Sequence, residues 1–272
     1  MSAHPWLTIH RGDGPLLLSM PHTGTELGAY ESRYVSPWMA RKDADWWVEK
    51  LYDFGRDLGA TLVRTTLSRS VIDVNRDPSG VSLYPGQATT ELCPTTTFDG
   101  EPLYRDGQVP DAADIADRRS KYFDPYHAAL AAEVARLKAA HPKVVVYDCH
   151  SIRSEVPRLF AGPLPHFNIG TNSGKSCDPK LTAAVEAACA TTTFSHVVNG
   201  RFKGGFITRN LGKPESNVHA IQMELAARGY LREITGPVTH ANWPVAYDET
   251  HAAPMRAALK NILEACLAFA RN

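Results

Sequence analysis

An α/β fold is predicted for this chain: one domain over residues 1–272, built on a central mixed, mostly parallel sheet flanked by helices. Three observations predict it. Short apolar runs without polar alternation, such as "PLLLSMP" and "KVVVYDCH", read as strands covered on both faces. Segments with apolar residues at helical spacing lie between such runs, so strands and helices alternate. No repeat, composition shift or convincing linker divides the chain, and 272 residues suffice for one sizeable core.

The elements follow in order. "PLLLSMP", residues 15–21, is a short strand that stops at His22. "DADWWVEKLYDFGRDLG", residues 43–59, reads as a helix. Asp43 is its N-cap, Trp47, Val48, Leu51, Phe54 and Leu58 form its apolar face, and Gly59 ends it. "ATLVRTT" and "SVIDVNR" read as strands. Residues 77–110 carry Pro, Gly and Thr without periodicity, and an ordered loop of that length points to function. Residues 111–141 are helical on both sides of Pro125, which should break or kink the helix. "KVVVYDCH" is the central strand. "CDPKLTAAVEAACA" is a helix capped by Asp178 with Pro179 at its first position. "NVHAIQMELA" is a strand, and "ETHAAPMRAALKNILEACLAFAR" is an amphipathic closing helix.

Composition excludes several function classes. Formal net charge is zero, so no bulk field draws the chain to nucleic acid or to an anionic membrane. An acidic small molecule would need a local arginine site. No apolar run approaches bilayer-spanning length, and the N-terminus lacks the basic start and apolar stretch of a signal peptide. The five cysteines are odd in number and contain no CxxC pair, which argues against a disulfide framework and a cysteine-rich zinc module. Reduced thiols and a cytoplasmic location are expected. Nothing in the sequence fixes the oligomeric state, and a monomer is the simplest case.

Three strands end in chemistry, where ligands collect in open α/β sheets. They stop at His22, at His150, and at Asn75 with Arg76. Either histidine alone would read as a hydrogen-bonded residue at a strand end. Two of them, one beside Asp148, point to a metal, because neutral imidazole suits Zn²⁺ and a catalytic zinc takes three protein ligands. The third ligand is open among Glu26, Asp43 and Asp45. Asp148 could orient an imidazole. Cys149 should face away from its neighbour His150 and pack in the core. Glu224 lies in an otherwise apolar strand on the same face as Gln222. A carboxylate is costly there unless paired, and it could act as a general base or form a salt bridge. Arg76, Arg201 and Arg209 are candidates for gripping carboxylates, with Lys203 in reserve, and Gly204 and Gly205 would let the backbone approach a ligand.

Taken together, "SMPHTG", "DADWWVEKLYDFG", "SRSVIDVNRDP", "YDCHSIRS", "GRFKGGFITRNLG" and "VHAIQMELA" resemble the N-formylglutamate amidohydrolase (deformylase) family of histidine degradation, in order along nearly the whole chain. That family is similar to the zinc carboxypeptidases and aspartoacylase. The resemblance implies a phosphorylase/hydrolase-like α/β fold and one catalytic Zn²⁺, with other divalent metals such as iron or cobalt as alternatives. It implies His22 and His150 as ligands, Glu224 as the base, and Asn75 with Arg76 as holders of a substrate carboxylate. Thr25 stands where the carboxypeptidases have a ligand glutamate, and the family's "DxDW" motif favours Asp45 instead. Arg153 is the candidate for stabilising the oxyanion, and Gly205 for backing the substrate. The expected substrate is small and acidic. The rivals are a related amidohydrolase for another N-acyl amino acid or peptide end, a non-catalytic sensor of acidic amino acids, and a cysteine hydrolase.

Overall fold

The computed structural model describes residues 4–83 and 85–272. One sheet contains β1 (Leu7–His10), β2 (Leu16–Met20), β3 (Thr61–Thr65), β4 (Val144–Ile152), β5 (Phe167–Gly170), β6 (His196–Val198) and β7 (Val218–Ala226), in the order β1-β3-β2-β4-β7-β5-β6. β3, β2, β4 and β7 run parallel, as do β5 and β6, while β1 lies antiparallel to β3 and β5 antiparallel to β7. The helices are α1 (Met39–Lys42), α2 (Val48–Leu51), α3 (Ala112–Arg118), α4 (Asp124–Ala140), α5 (Pro179–Ala190), α6 (Phe206–Leu211) and α7 (Glu249–Arg271). The α/β class and the mixed, mostly parallel sheet match the expectation.

The unbroken apolar runs make sense in this setting. Every residue of β4 and β7 is buried. Val144 and Val146 pack with Leu130 and Leu137 of α4 on one face, and Val145, Tyr147 and Cys149 pack with Leu259 and Leu263 of α7 on the other. Burying one such aliphatic side chain is worth roughly 1.5–3 kcal/mol, so the middle of the sheet is a firm platform. The alternation also sends Cys149 and His150 to opposite faces. Asp178 caps α5 by accepting the Lys180 N–H, as expected. The helical backbone runs on across Pro125 without a break, although not as one regular α-helix. A wide π turn, Arg119–Phe123, joins α3 to α4, and Pro125 lies just after it, so the irregularity falls next to the proline.

Three local expectations need correction. Residues 43–59 are not one helix. Trp47 has φ 65°, in the left-handed region, and the chain breaks there before α2 and a 3₁₀ turn, Asp53–Arg56. Asp43 is no N-cap: its carboxylate accepts the Phe98 N–H at 2.6 Å. The break has a cause, since the Asp45 N–H bonds the His22 carbonyl at 2.9 Å and pulls this turn onto the end of β2. Residues 70–76 are not a strand either. The Asp73 carboxylate accepts the Asn75 N–H at 2.9 Å, and that local bond turns the chain. The segment after Gly204–Gly205 is a short helix, α6, and carries Arg209. Strands β1, β5 and β6 were not expected, being only three or four residues long.

Candidate active site

β2, β4 and β7 are consecutive in the sheet, and their carboxyl ends supply His22, His150 and Glu224. His150 lies directly opposite Glu224 in the β4–β7 register. The turn broken at Trp47 brings in Asp45. Among the described residues, His22, Asp45 and His150 form a buried group whose ligand atoms all lie within 4.8 Å of one another. Nδ1 of His22 is 3.8 Å from Asp45 Oδ2, and Nδ1 of His150 is 3.0 Å from the same oxygen. Two imidazoles and one carboxylate are the donor set of many catalytic divalent-metal sites.

The opposite ring nitrogens face acids. Nε2 of His22 is 2.6 Å from Asp73 Oδ1, and Nε2 of His150 is 3.1 Å from Asp148 Oδ2. Carboxylates in this position fix ring orientation and leave Nδ1 for a metal. Burial and the nearby Arg69 cation hold the His22 pKa below the usual imidazole value, which keeps it in the neutral, ligating form. For Asp73, burial alone would raise the pKa, but His22, Arg69 and Arg76 outweigh it and hold it well below the carboxylate range. Burial would lower His150 too, yet Asp148 and Asp45 prevail and raise it. His22 Nδ1 and Asp45 Oδ1 are buried without a hydrogen-bond partner. Orphaned acceptors on converging ligands, with outer carboxylates in place, fit a divalent cation.

A cavity of about 50 Å³ opens beside this cluster. Glu224 lines it, and burial, with Asp45 adding to the effect and His150 opposing it, pushes its carboxyl up to about 7. That value suits a group that must take and return a proton near neutrality. Arg69, Arg76 and Arg201 also line the cavity, facing an apolar wall of Phe98, Leu159 and Phe202. Arg76 is braced on the Thr90 carbonyl and hydroxyl, both at 3.0 Å, and Arg201 on the Leu159 and Ala88 carbonyls at 2.8 and 2.9 Å. Asn75 and Gly205 border the same space. The Asn75 amide already bonds Asp148 and the Ile207 N–H, so it also ties β4 to α6.

Other candidates sit elsewhere. Glu26 is exposed and accepts the Thr66 hydroxyl. Arg153 does not line this cavity; it pairs with Asp99 at 2.7 Å and lies 3.7 Å from Asp43. Arg209 does not line it either, and its Nε bonds the Gly204 carbonyl at 2.9 Å. The Cys149 thiol is fully buried on the far face, where burial raises its pKa well above the usual thiol value. Replacing Cys149 by Ala is expected to keep activity within about threefold while lowering stability by about 1 kcal/mol, the scale of one lost buried group. A folded but inactive variant in a turnover assay and thermal melt would show the chemistry to be misassigned.

Two residues escaped sequence reasoning. Asp73 sits in a stretch that reads as an ordinary strand, and Arg69 immediately precedes it. A signal existed: an acid two residues before Asn75 and a base four residues before that acid, flanked by apolar side chains. Arg69 is buried, bonds Asp73 at 2.6 Å and stacks over Phe98.

Known proteins resemble this chain over nearly its whole length. The profile of the family described as N-formylglutamate amidohydrolase matches residues 14–231. The chain is 47% identical over 268 residues to an N-formylglutamate deformylase of Pseudomonas aeruginosa, covering 98% of this chain and 97% of that protein. It is 44% identical over 265 residues to one of Pseudomonas putida, covering 97% and 96%. A crystal structure of N-formylglutamate amidohydrolase from Ralstonia eutropha matches with a TM-score of 0.76 at 25% identity, over 97% of this chain and 98% of that one. A gene product of Agrobacterium tumefaciens shares the fold, with a TM-score of 0.70 at 18% identity over 97% and 95% of the two chains. A profile match over most of the length, close relatives covering nearly all of it, and ligands converging beside a buried carboxyl lead to one conclusion: this chain belongs to the N-formylglutamate amidohydrolase family.

Proposed function

We propose that the chain hydrolyses N-formyl-L-glutamate to L-glutamate and formate, using one zinc ion held by His22, Asp45 and His150. The observation that carries this reading is the convergence of those ligands beside Glu224, in a cavity lined by arginines. A divalent ion in such a site supplies Lewis acidity to water and to a carbonyl oxygen. Glu224 takes the proton of the attacking water and delivers it to the leaving amine nitrogen. Arg69, rather than Arg153, faces the cavity and offers its cation to the developing oxyanion. Arg76 and Arg201 each take one substrate carboxylate, and the Phe98, Leu159 and Phe202 wall excludes bulk water. Arg209 supports the site from behind through the Gly204 carbonyl.

The five cysteines are free and buried, which supports a reducing compartment, the cytoplasm. No helix among the described residues is long and apolar enough to cross a membrane.

The test is formate release by the purified chain, with metal content measured on the same sample. Hydrolysis of N-formyl-L-glutamate at one zinc per chain is expected. No release with zinc, iron or cobalt restored would sink the reading, and faster release of acetate from N-acetylglutamate would move it to another acyl group. Arg76→Ala and Arg201→Ala are each expected to lower kcat/KM by about ten- to a hundredfold, the scale of one charged hydrogen bond. For N-formylleucine, which lacks the side-chain carboxylate, one of the two losses should shrink. If neither variant changes the preference between the two substrates, these arginines do not read that carboxylate.

A further inference from the structure

Gln222 is almost fully buried on β7, two residues before Glu224, so both side chains point to the same face and border the same cavity. Its Oε1 accepts the Gly205 N–H at 2.7 Å. A backbone N–H can only donate, so this bond settles which way the amide lies. Nε2 must then face Glu224, and it donates to Glu224 Oε2 at 3.2 Å.

The other end of this relay is built just as tightly. A Cβ on Gly205 would come within 2.5 Å of the Asn75 amide, so the backbone passes closer to Asn75 than any other residue type permits. The next two backbone N–H groups bond the Asn75 carbonyl at 3.2 Å and its Oδ1 at 2.8 Å. The start of α6 thus grips both the residue preceding Arg76 and the amide beside the base.

We propose that Gln222 is a positioning residue for Glu224: held by the Gly205 N–H, it keeps Glu224 Oε2 as an acceptor and directs the transferred proton to Oε1. This rests on Glu224 being the base proposed above. With Oε2 occupied by an N–H donor, a proton placed on that oxygen would lose the bond and meet another donor, so Oε1 is the atom left to take and return it. The relay also links the segment carrying Arg201 to the geometry of the base. Substrate held by that segment and a correctly turned carboxylate arise from one arrangement.

Gln222→Met matches the length of glutamine and removes both bonds. It is expected to lower kcat by about ten- to a hundredfold while KM moves less than about threefold, since a bond to a charged group is lost away from the substrate. In a Glu224→Gln background the same change should cost less than about twofold, because nothing remains to be positioned. Gln222→Asn keeps the amide but is too short to bridge both partners, so it should fold and also lose turnover. A second reading uses metal-free protein. In Gln222→Met the Gly205 amide should exchange its hydrogen at least about tenfold faster than in wild type, while the Ile207 amide is unchanged. Wild-type kcat in the Asn variant, equal losses with and without Glu224, or unchanged Gly205 exchange would each overturn the role of Gln222. Absence of formate release by wild type would overturn the proposed function instead, and the exchange measurement would still test the relay.

Discussion

Glu224→Gln is expected to retain its metal and bind substrate but turn over at least about a hundredfold more slowly, the low end for general acid–base catalysis. The substitution keeps size and hydrogen-bonding shape and removes only the ability to accept a proton. Glu224 is buried, it faces the cavity, and its carboxyl lies near 7, the range in which taking a proton from water and returning it to an amine are both feasible. A carboxylate present merely to pair with a cation would instead be matched by a cation within bonding distance. Its recorded side-chain bond is to the neutral amide of Gln222. Steady-state kinetics with metal analysis separate the cases: kcat should fall while metal content stays. Turnover within about threefold of wild type would remove Glu224 from the mechanism.

Asp45→Ala should abolish stoichiometric metal binding and lower kcat/KM by at least about a thousandfold, since several kcal/mol of charge stabilisation leave with the ion. Asp45 alone among the three acids considered from the sequence has an oxygen facing both histidines. Glu26→Ala is the control, because that residue is exposed, and it should change activity by no more than about twofold. Metal content after dialysis against a mild chelator reads the difference directly. Full metal content and near-normal activity in Asp45→Ala would return the choice of carboxylate to Asp43.

The long central strands were legible because burial on both faces leaves near-continuous apolar runs, as in "VVVY" and "AIQMEL", and the few polar residues within or just beyond such runs then stand out. His22, His150 and Glu224 were found in this way. Tertiary demand hid the rest. The Asp45 turn reads as helix because its apolar residues keep helical spacing, and the break at Trp47 is imposed by a backbone bond to His22. The stretch from Ser70 to Arg76 reads like a strand, but Asp73 bonding the Asn75 N–H converts it into a turn. Arg153 and Arg69 look alike in a sequence; their partners, Asp99 for one and Asp73 for the other, separate them. Strands of three or four residues carry too little pattern to be seen without the neighbours that order them.

The placement of the site on neighbouring parallel strands bears on how the chain reaches its native state. Leu16 pairs with Val145, and Val144 with Val218, so the contacts joining β2, β4 and β7 close very large loops. Such contacts form late, because loop-closure entropy must be met before they reward the chain, and high contact order slows folding. His22 and Asp45 are close in sequence, but His150 joins them only after β2 has docked on β4, and Glu224 only after β7 is added. A nascent chain still short of β7 therefore lacks the base proposed here, however well its first half has folded. On the proposed mechanism, catalytic competence waits for the last of these strands.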